Sequence, residues 1–138
     1  MKFQLDAGTG RYGITGYGPE GVRVNDRVYR SSVIVMPDRL VVDWPPRSVP
    51  DLTRAHMDAI AALEPDVVLL GTGQTLKFPE PSLLVALQGN GVGIECMDTG
   101  AACRVFAVLA AEGRRVACAI LSNRAPGDRS GFGEDPLS

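Results

Sequence analysis

The segment that most constrains the fold runs from Met97 to Gly113 and predicts a helix with almost no polar side. Thr99 is a good N-cap residue, because its hydroxyl can accept a hydrogen bond from a free N–H of the first turn. Gly113 suits the left-handed residue that often ends a helix. Between them only Arg104 and Glu112 are charged. Since a helix that is apolar all round is usually buried on more than one face, we expect a sheet on one side and another element or subunit on the other.

Length and composition indicate an ordinary globular protein. The chain has 138 residues, of which 45% are hydrophobic and 22% charged, and its formal net charge is −2. Because this charge creates no general attraction for polyanions, nucleic acid is not an expected partner. The N-terminus has no signal or transit pattern. No apolar run reaches the roughly 20 residues that span a bilayer, so we expect a cytoplasmic protein without membrane insertion.

Two kinds of pattern follow each other along the chain. Up to about residue 50, alternating segments and turn residues predict a β meander and then a hairpin through residues 37–39. Beyond a proline-rich connection, apolar strands alternate with helices predicted at about 54–63 and 81–88. We therefore predict a single α/β domain over 1–121. The Gly-, Pro- and Ser-rich residues 122–138 predict a disordered tail.

The three cysteines, Cys96, Cys103 and Cys118, lie far apart in apolar segments. An odd number without a CxxC pair argues against a disulfide framework or a zinc site, so we interpret them as small core residues. The alternative is a reactive Cys103, because a helix dipole can lower the pKa of a thiol in its first turn. A nucleophilic cysteine needs a nearby base, and the single histidine, His56, falls on another helix at a predicted surface position. The pattern thus favours a non-enzymatic protein without metal or cofactor.

A candidate binding site lies where two predicted strands end. Residues 71–73 follow one apolar strand and residues 98–100 follow the next, directly before the apolar helix. Because right-handed βαβ connections make such strands parallel, both turns should meet at one edge of the sheet. The helix N-terminus there suits a carboxylate, phosphate or sulfate. The candidate binding residues are Gly71, Thr72, Gly73, Asp98, Thr99, Gly100 and Arg104.

Two structural alternatives stand beside this binding hypothesis. Asp98 can itself occupy the helix N-terminus in place of a bound anion. Gly71 and Gly73 can serve only to bend the chain.

Arg104 is the one charged residue in the middle of the apolar helix. Its charge must reach solvent or pair with a carboxylate, which we expect from Asp98 or another element. If such a pair is buried, loss of the partner would cost about 3–5 kcal/mol.

Taken in order, residues 71–73, 97–104 and 112–114 resemble a known family. They are similar to the small α/β proteins related to the mitochondrial respiratory complex I assembly factor 3 and to their bacterial and archaeal relatives. The similarity covers roughly residues 10–121. It implies a three-layer fold, with a mixed central sheet, helices packed on it and an additional β element. It also implies action through protein partners, without defined catalytic residues.

One departure from the family pattern concerns the apolar helix. Relatives commonly have Cys-Arg-Thr-Tyr-Asn where residues 103–107 here are Cys-Arg-Val-Phe-Ala, so this helix lacks the corresponding polar groups. The leading hypothesis is a prokaryotic assembly or protein-interaction factor with an unidentified protein partner. The alternative is a small-molecule or anion-binding protein, with or without weak enzymatic activity, that uses the two turns. Homo-oligomerisation is a further hypothesis, since a second copy of the chain could cover the apolar helix. The β meander is the alternative cover.

Overall fold

The computed structural model describes the backbone of Lys2–Gln4 and residues 11–123 in full. Most of the predicted tail, residues 124–138, lies outside the described residues. The described helices are α1 (Arg54–Ala61), α2 (Pro81–Gln88) and α3 (Thr99–Ala111), with a 3-10 turn at Val49–Asp51. The described strands are β1 (Lys2–Gln4), β2 (Ile14–Gly18), β3 (Gly21–Val24), β4 (Arg27–Tyr29), β5 (Val33–Met36), β6 (Arg39–Val42), β7 (Val67–Gly71), β8 (Gly93–Met97) and β9 (Val116–Ile120).

Six of these strands form a mixed central sheet in the order β1-β6-β5-β9-β7-β8. β7 runs parallel to β8 and to β9, with Gly71 opposite Met97 on one side and Ile120 on the other. β5 pairs antiparallel with β6, which confirms the predicted hairpin through residues 37–39. On its other side β5 pairs antiparallel with β9. The meander β2-β3-β4 forms a separate antiparallel sheet. The predicted parallel pairing of β7 and β8 is confirmed.

Both faces of the central sheet are covered because side chains alternate along its buried strands. In β9, Val116, Cys118 and Ile120 face one core, while Ala117 and Ala119 face the other. α1 and α2 pack on the alanine side, and α3 packs with β3 of the small sheet on the opposite side. These layers confirm the expected three-layer arrangement with an additional β element.

The ends of α3 obey helix-capping chemistry, with one correction at the N-terminus. Asp98, and not Thr99, is the N-cap, since its Oδ1 accepts a hydrogen bond from the Ala101 N–H at 2.9 Å. A carboxylate at this position also interacts favourably with the helix dipole. At the other end Gly113 has φ of 81°, and its N–H donates to the Ala110 carbonyl at 3.0 Å. The predicted glycine closure is therefore confirmed.

The expectation that α3 is covered by a sheet on one side and by another element on the other is confirmed, but the helix also keeps a side in solvent. Ala102, Cys103 and Phe106 are buried against the central sheet, and β2 lies across the helix. The remaining side of α3 faces solvent, with Val108 57% exposed. Most apolar residues on this side are alanines, which expose little surface and therefore tolerate water. The small sheet of the same chain therefore covers part of α3. A second subunit was the alternative expectation for this cover.

His56 serves as a helix cap. The Thr53 hydroxyl accepts a hydrogen bond from the His56 N–H at 3.4 Å, and Nδ1 of His56 accepts one from the Thr53 N–H at 3.0 Å. The imidazole lies edge-on to the buried Trp44 ring, with centroids 6.1 Å apart. His56 is half-buried as a result, so the predicted surface position describes only part of its environment.

No helix within residues 11–123 combines the length and the apolar character that crossing a membrane requires.

Candidate functional site

The two predicted turns meet at the carboxyl edge of the parallel strands. The Thr72 N–H donates to the Met97 carbonyl at 3.0 Å, and the Thr99 N–H donates to the Gly73 carbonyl at 2.8 Å. In return, the Gly73 N–H donates to Oγ1 of Thr99 at 3.0 Å. The turns are thus bonded to each other, and the backbone donors named here are already used within the protein.

Gly71 lies beneath this junction as a packing residue. A Cβ at Gly71 would lie 3.3 Å from both Cα and Oγ1 of Thr99 and 3.4 Å from the Cβ of Ala102. These distances are tighter than ordinary van der Waals contact, so glycine allows β7 and α3 to approach closely. Gly73 differs, because its φ of 107° lies in the region that glycine favours and no atom would crowd a Cβ there.

The segment after Gly73 forms a projecting loop whose base is held by Thr72. The Thr72 hydroxyl donates to the Thr75 carbonyl at 2.8 Å and accepts from the Lys77 N–H at 3.1 Å. Residues 74–78 are all exposed, and among them are two large apolar side chains, Leu76 at 47% and Phe78 at 69% exposed. We call residues 74–78 the apolar loop.

A cleft of about 690 Å³ opens beside the apolar loop. Its walls come from the turn between β2 and β3, the chain after β4, residues 47–49, the base of the apolar loop, the start of α3 and the chain after β9. The predicted site residues that line it are Thr72, Gly73, Asp98, Thr99, Gly100 and Arg104. Gly71 lies outside the lining. The structure therefore brings six of the seven residues to one cleft, and their role in binding stays a prediction.

Basic side chains dominate the charge of the cleft. Arg30, Arg47, Lys77 and Arg104 contribute to its lining, whereas Asp98 is the acidic residue among the described lining groups. Oδ1 of Asp98 already accepts the bond that caps α3. Arg30 is only 8% exposed, so its cation sits deep in the wall. Among the described lining groups, basic side chains therefore outnumber acidic ones, although the whole chain has 14 basic and 16 acidic residues.

Arg104 contacts a tyrosine where a carboxylate was predicted. Its Nη1 donates to the phenolic oxygen of Tyr17 at 2.9 Å, and Arg104 is exposed. The expected acidic partner is wrong, because an exposed guanidinium keeps its hydration and needs no compensating carboxylate. The Tyr17 ring also covers Gly100, where a Cβ would lie 2.7 Å from the phenolic oxygen. Tyr17 therefore joins the small sheet to the start of α3 along one wall of the cleft.

The thiols are suited to packing. Burial raises the pKa of Cys103 to about 11, although the Arg104 charge acts in the opposite direction. Burial likewise raises the pKa of Cys118, whose Sγ lies 3.8 Å from the Ala102 carbonyl oxygen. The burial of the Cys103 thiol disfavours the alternative of a reactive Cys103, which stays a prediction. Across residues 11–123 no cluster of three His, Cys, Asp or Glu side chains is arranged to hold a metal ion.

Sequence reasoning missed four groups that line the cleft: Tyr17, Arg30, Arg47 and Lys77. They are far from the two turns in the sequence or lie in loops, so no local pattern links them. Of the four, Lys77 could most readily have been predicted from the sequence, since the chain has only two lysines and this one closely follows residues 71–73. Tyr17 lies in the small sheet and Arg30 directly follows it, so both depend on the position of that sheet, while Arg47 lies in the proline-rich connection after β6.

Comparison with known proteins agrees with this architecture. An assembly factor of Drosophila melanogaster, "NADH dehydrogenase [ubiquinone] 1 alpha subcomplex assembly factor 3", is 33% identical over 115 residues, which cover 78% of this chain and 57% of that protein. An uncharacterised protein of Rhodobacter capsulatus is 34% identical over 108 residues, covering 78% of this chain and 82% of that one. The chain thus spans less than two thirds of the length of the curated assembly factor.

The solution structure of a Bordetella pertussis protein, described as a Mth938-like domain, superimposes with a TM-score of 0.75. The two are 27% identical, and the match covers 97% of this chain and all of that one. The fold therefore defines a Mth938-like α/β protein. The chain belongs to the family described as "Protein of unknown function (DUF498/DUF598)", which matches residues 14–121. The predicted family relationship is confirmed.

Proposed function

We propose that this protein is a non-enzymatic protein-interaction factor of the assembly type. The observation that carries the proposal is the apolar loop, where Leu76 and Phe78 are held in solvent at the edge of the cleft. Exposed large apolar side chains that adjoin one another often mark a protein-binding surface. The name of the Drosophila relative, an assembly factor, supports the same role.

The chemistry of the cleft supports binding over catalysis. Its ionisable lining groups are tyrosines, arginines, Lys77 and Asp98, and Asp98 is engaged as a helix cap. The thiol of Cys103 is held protonated by burial, and the His56 ring is engaged in the α1 cap. None of these arrangements pairs a nucleophile with a base. We further propose a prokaryotic protein, in keeping with the Rhodobacter relative, that acts in the cytoplasm and binds another protein and not nucleic acid.

Affinity capture from the native host tests this proposal. Tagged protein is compared with a Leu76→Ser/Phe78→Ser variant, and bound proteins are quantified by mass spectrometry. Both positions are exposed, so the variant should keep its fold, which circular dichroism checks. We expect a defined partner to be enriched by the unchanged protein and lost from the variant.

The control for that capture is Val108→Ser on the outer side of α3. Val108 is 57% exposed, comparable to Leu76 and Phe78, but it belongs to α3 and not to the apolar loop. We expect this variant to retain the partner. Equal recovery with all three proteins, or a defined turnover reaction lost on changing the cleft, would contradict an interaction role for the loop.

A second candidate is binding of a small anion, favoured by the excess of basic side chains in the cleft. A bound anion cannot use the backbone N–H groups of Gly73 and Ala101, because these already donate to the side chains of Thr99 and Asp98. It therefore depends on Arg47, Lys77 and their neighbours. A thermal-shift series with phosphate, citrate and nucleotides tests it. Saturable stabilisation that disappears in Arg47→Gln/Lys77→Gln supports this function, and no shift excludes it for these anions.

A further inference from the structure

We propose that the cleft and the apolar loop together bind an extended acidic segment of a partner protein, with carboxylates in the cleft and an apolar side chain against the loop. This inference rests on the proposed interaction function and specifies the chemistry of the partner. Its two parts, the basic lining and the exposed apolar side chains, adjoin in the chain: Thr75 and Lys77 line the cleft, while Leu76 and Phe78 lie outside the lining and are exposed.

The charge of the cleft selects an acidic occupant. Among the described residues, the lining includes four basic side chains but one acidic side chain. That acidic residue, Asp98, is oriented towards the N–H of Ala101. A segment rich in Asp and Glu would therefore meet complementary charge here, while a basic segment would meet repulsion.

The donors that remain favour a polypeptide over a compact anion. Small phosphate-type anions are typically held by converging backbone N–H groups at a helix N-terminus. Here the N–H of Thr99 donates to Gly73, and that of Ala101 donates to Asp98. The available cations are long side chains distributed around the cleft, such as Arg47 and Lys77 on its exposed rim. Spaced carboxylates on a chain can reach several of them at once.

The apolar loop supplies the second half of the recognition. Phe78 is 69% exposed and follows Lys77 directly, so an apolar residue next to a carboxylate in the partner would reach both. The cleft volume of about 690 Å³ lies within the range of roughly 300–1,000 Å³ that is usual for ligand-binding clefts. An alternation of acidic and apolar residues is therefore the expected partner sequence.

The lysine content of the chain provides a site-directed test. The chain has two lysines, Lys2 and Lys77. A carbodiimide joins a carboxylate to an amine only when the two are in contact. The probe is a short peptide in which Glu alternates with Leu and Phe, and mass spectrometry locates the cross-link. We expect it at Lys77, and we expect its loss in Lys77→Arg, which keeps the charge but removes the amine.

Fluorescence anisotropy with the labelled probe measures the contribution of charge. Arg47→Glu/Lys77→Glu should weaken binding at least roughly tenfold, since two attractive contacts become repulsive. The matched control, Arg23→Glu/Arg114→Glu, makes the same change in net charge at exposed positions outside the cleft and should alter binding about twofold or less. Peptides with Gln or Lys in place of Glu complete the series.

The outcomes separate this inference from the function on which it rests. Cross-linking at Lys77 together with charge-sensitive binding supports the acidic segment. A Gln peptide that binds as tightly as the Glu peptide, or no binding of either, overturns it. If affinity capture still recovers a partner that depends on Leu76 and Phe78 but tolerates Arg47→Glu/Lys77→Glu, the interaction function stands and the acidic segment is excluded. Stabilisation by phosphate in the thermal-shift series, without binding of either peptide, would instead favour the small-anion function.

Discussion

The Arg104 guanidinium donates a hydrogen bond to the phenolic oxygen of Tyr17 at 2.9 Å, joining residues that are 87 positions apart. This contact connects the start of α3 to strand β2 of the small sheet. The ring of Tyr17 lies where a Cβ of Gly100 would be, so the absence of a side chain at Gly100 allows the contact. One wall of the cleft therefore depends on a tyrosine, an arginine and a glycine acting together.

This arrangement predicts coupling between Gly100 and Tyr17. Without the ring, Gly100→Ala should raise the free energy of unfolding by up to about 0.5–1 kcal/mol, because alanine loses less conformational entropy in a helix. With Tyr17 present, the new methyl group displaces the ring and cancels most of that gain. Urea denaturation of Gly100→Ala in the unchanged and Tyr17→Ala backgrounds measures the difference. Equal gains in both would show that the ring can move without cost.

The close approach of β7 and α3 predicts that Gly71 is a stability residue. Gly71→Ala should lower the free energy of unfolding by about 1–3 kcal/mol, since the added methyl group meets Thr99 backbone at 3.3 Å. Gly93→Ala is the matched control on the neighbouring strand β8, where the nearest atom to a Cβ is 3.9 Å away. It should change stability by less than about 0.5 kcal/mol. Similar losses at the two positions would contradict the packing role of Gly71.

The burial of the thiols predicts an order of alkylation. Iodoacetamide at pH 8 should modify Cys96 first, because it is only half-buried, and Cys103 and Cys118 far more slowly. Burial raises the pKa of Cys103 to about 11, so very little thiolate is present at that pH. Mass spectrometry of timed samples gives the three rates, and unfolding in urea should make them similar. Fast modification of Cys103 in the folded protein would support the alternative that Cys103 is a reactive cysteine.

The lowered pKa of His56 in the folded protein predicts that stability depends on pH. Burial lowers the pKa of His56 below its usual 6.5, while the charge of Asp51 opposes this shift. As the pH falls through 6.5, the unfolded chain takes up a proton that the folded protein does not yet bind, so the free energy of unfolding decreases. The decrease ends once the pH is below the pKa of the folded state. Above about pH 7.5 both states are neutral, and this contribution is constant.

The control for His56 is His56→Gln, which keeps an acceptor for the capping box but does not titrate. Urea denaturation between pH 7.5 and 5.5 should show the slope in the unchanged protein and its loss in the variant. His56 is the single histidine, so imidazole resonances report its pKa directly. A slope that persists in His56→Gln would assign the pH dependence to other groups.

Much of the fold follows from local pattern. The buried strand β7, the glycine that ends α3 and the turn residues of the meander each carry a chemical preference that acts within a few residues. The parallel pairing of β7 with β8 also follows, because a right-handed βαβ connection leaves few other arrangements. From these features alone, residues 71–73 and 98–100 are predicted to lie at one edge of the sheet.

The composition of the cleft depends instead on contacts between distant segments. Arg30, Arg47 and Lys77 come from three separate parts of the chain, and only the folded protein brings them to one cleft. The Tyr17 partner of Arg104 and the close contact at Gly71 have the same origin.

The sequence by itself determined the helices, the strands after β1, their order along the chain and the family, because these depend on local propensity, periodicity and short motifs. Only the tertiary structure decided that Asp98 and Thr99 use the backbone donors of the turns, that α3 keeps one side in solvent and that basic side chains surround the cleft. The physical reason is that hydrogen-bond satisfaction, desolvation and charge proximity are set by distances between residues that are remote along the chain.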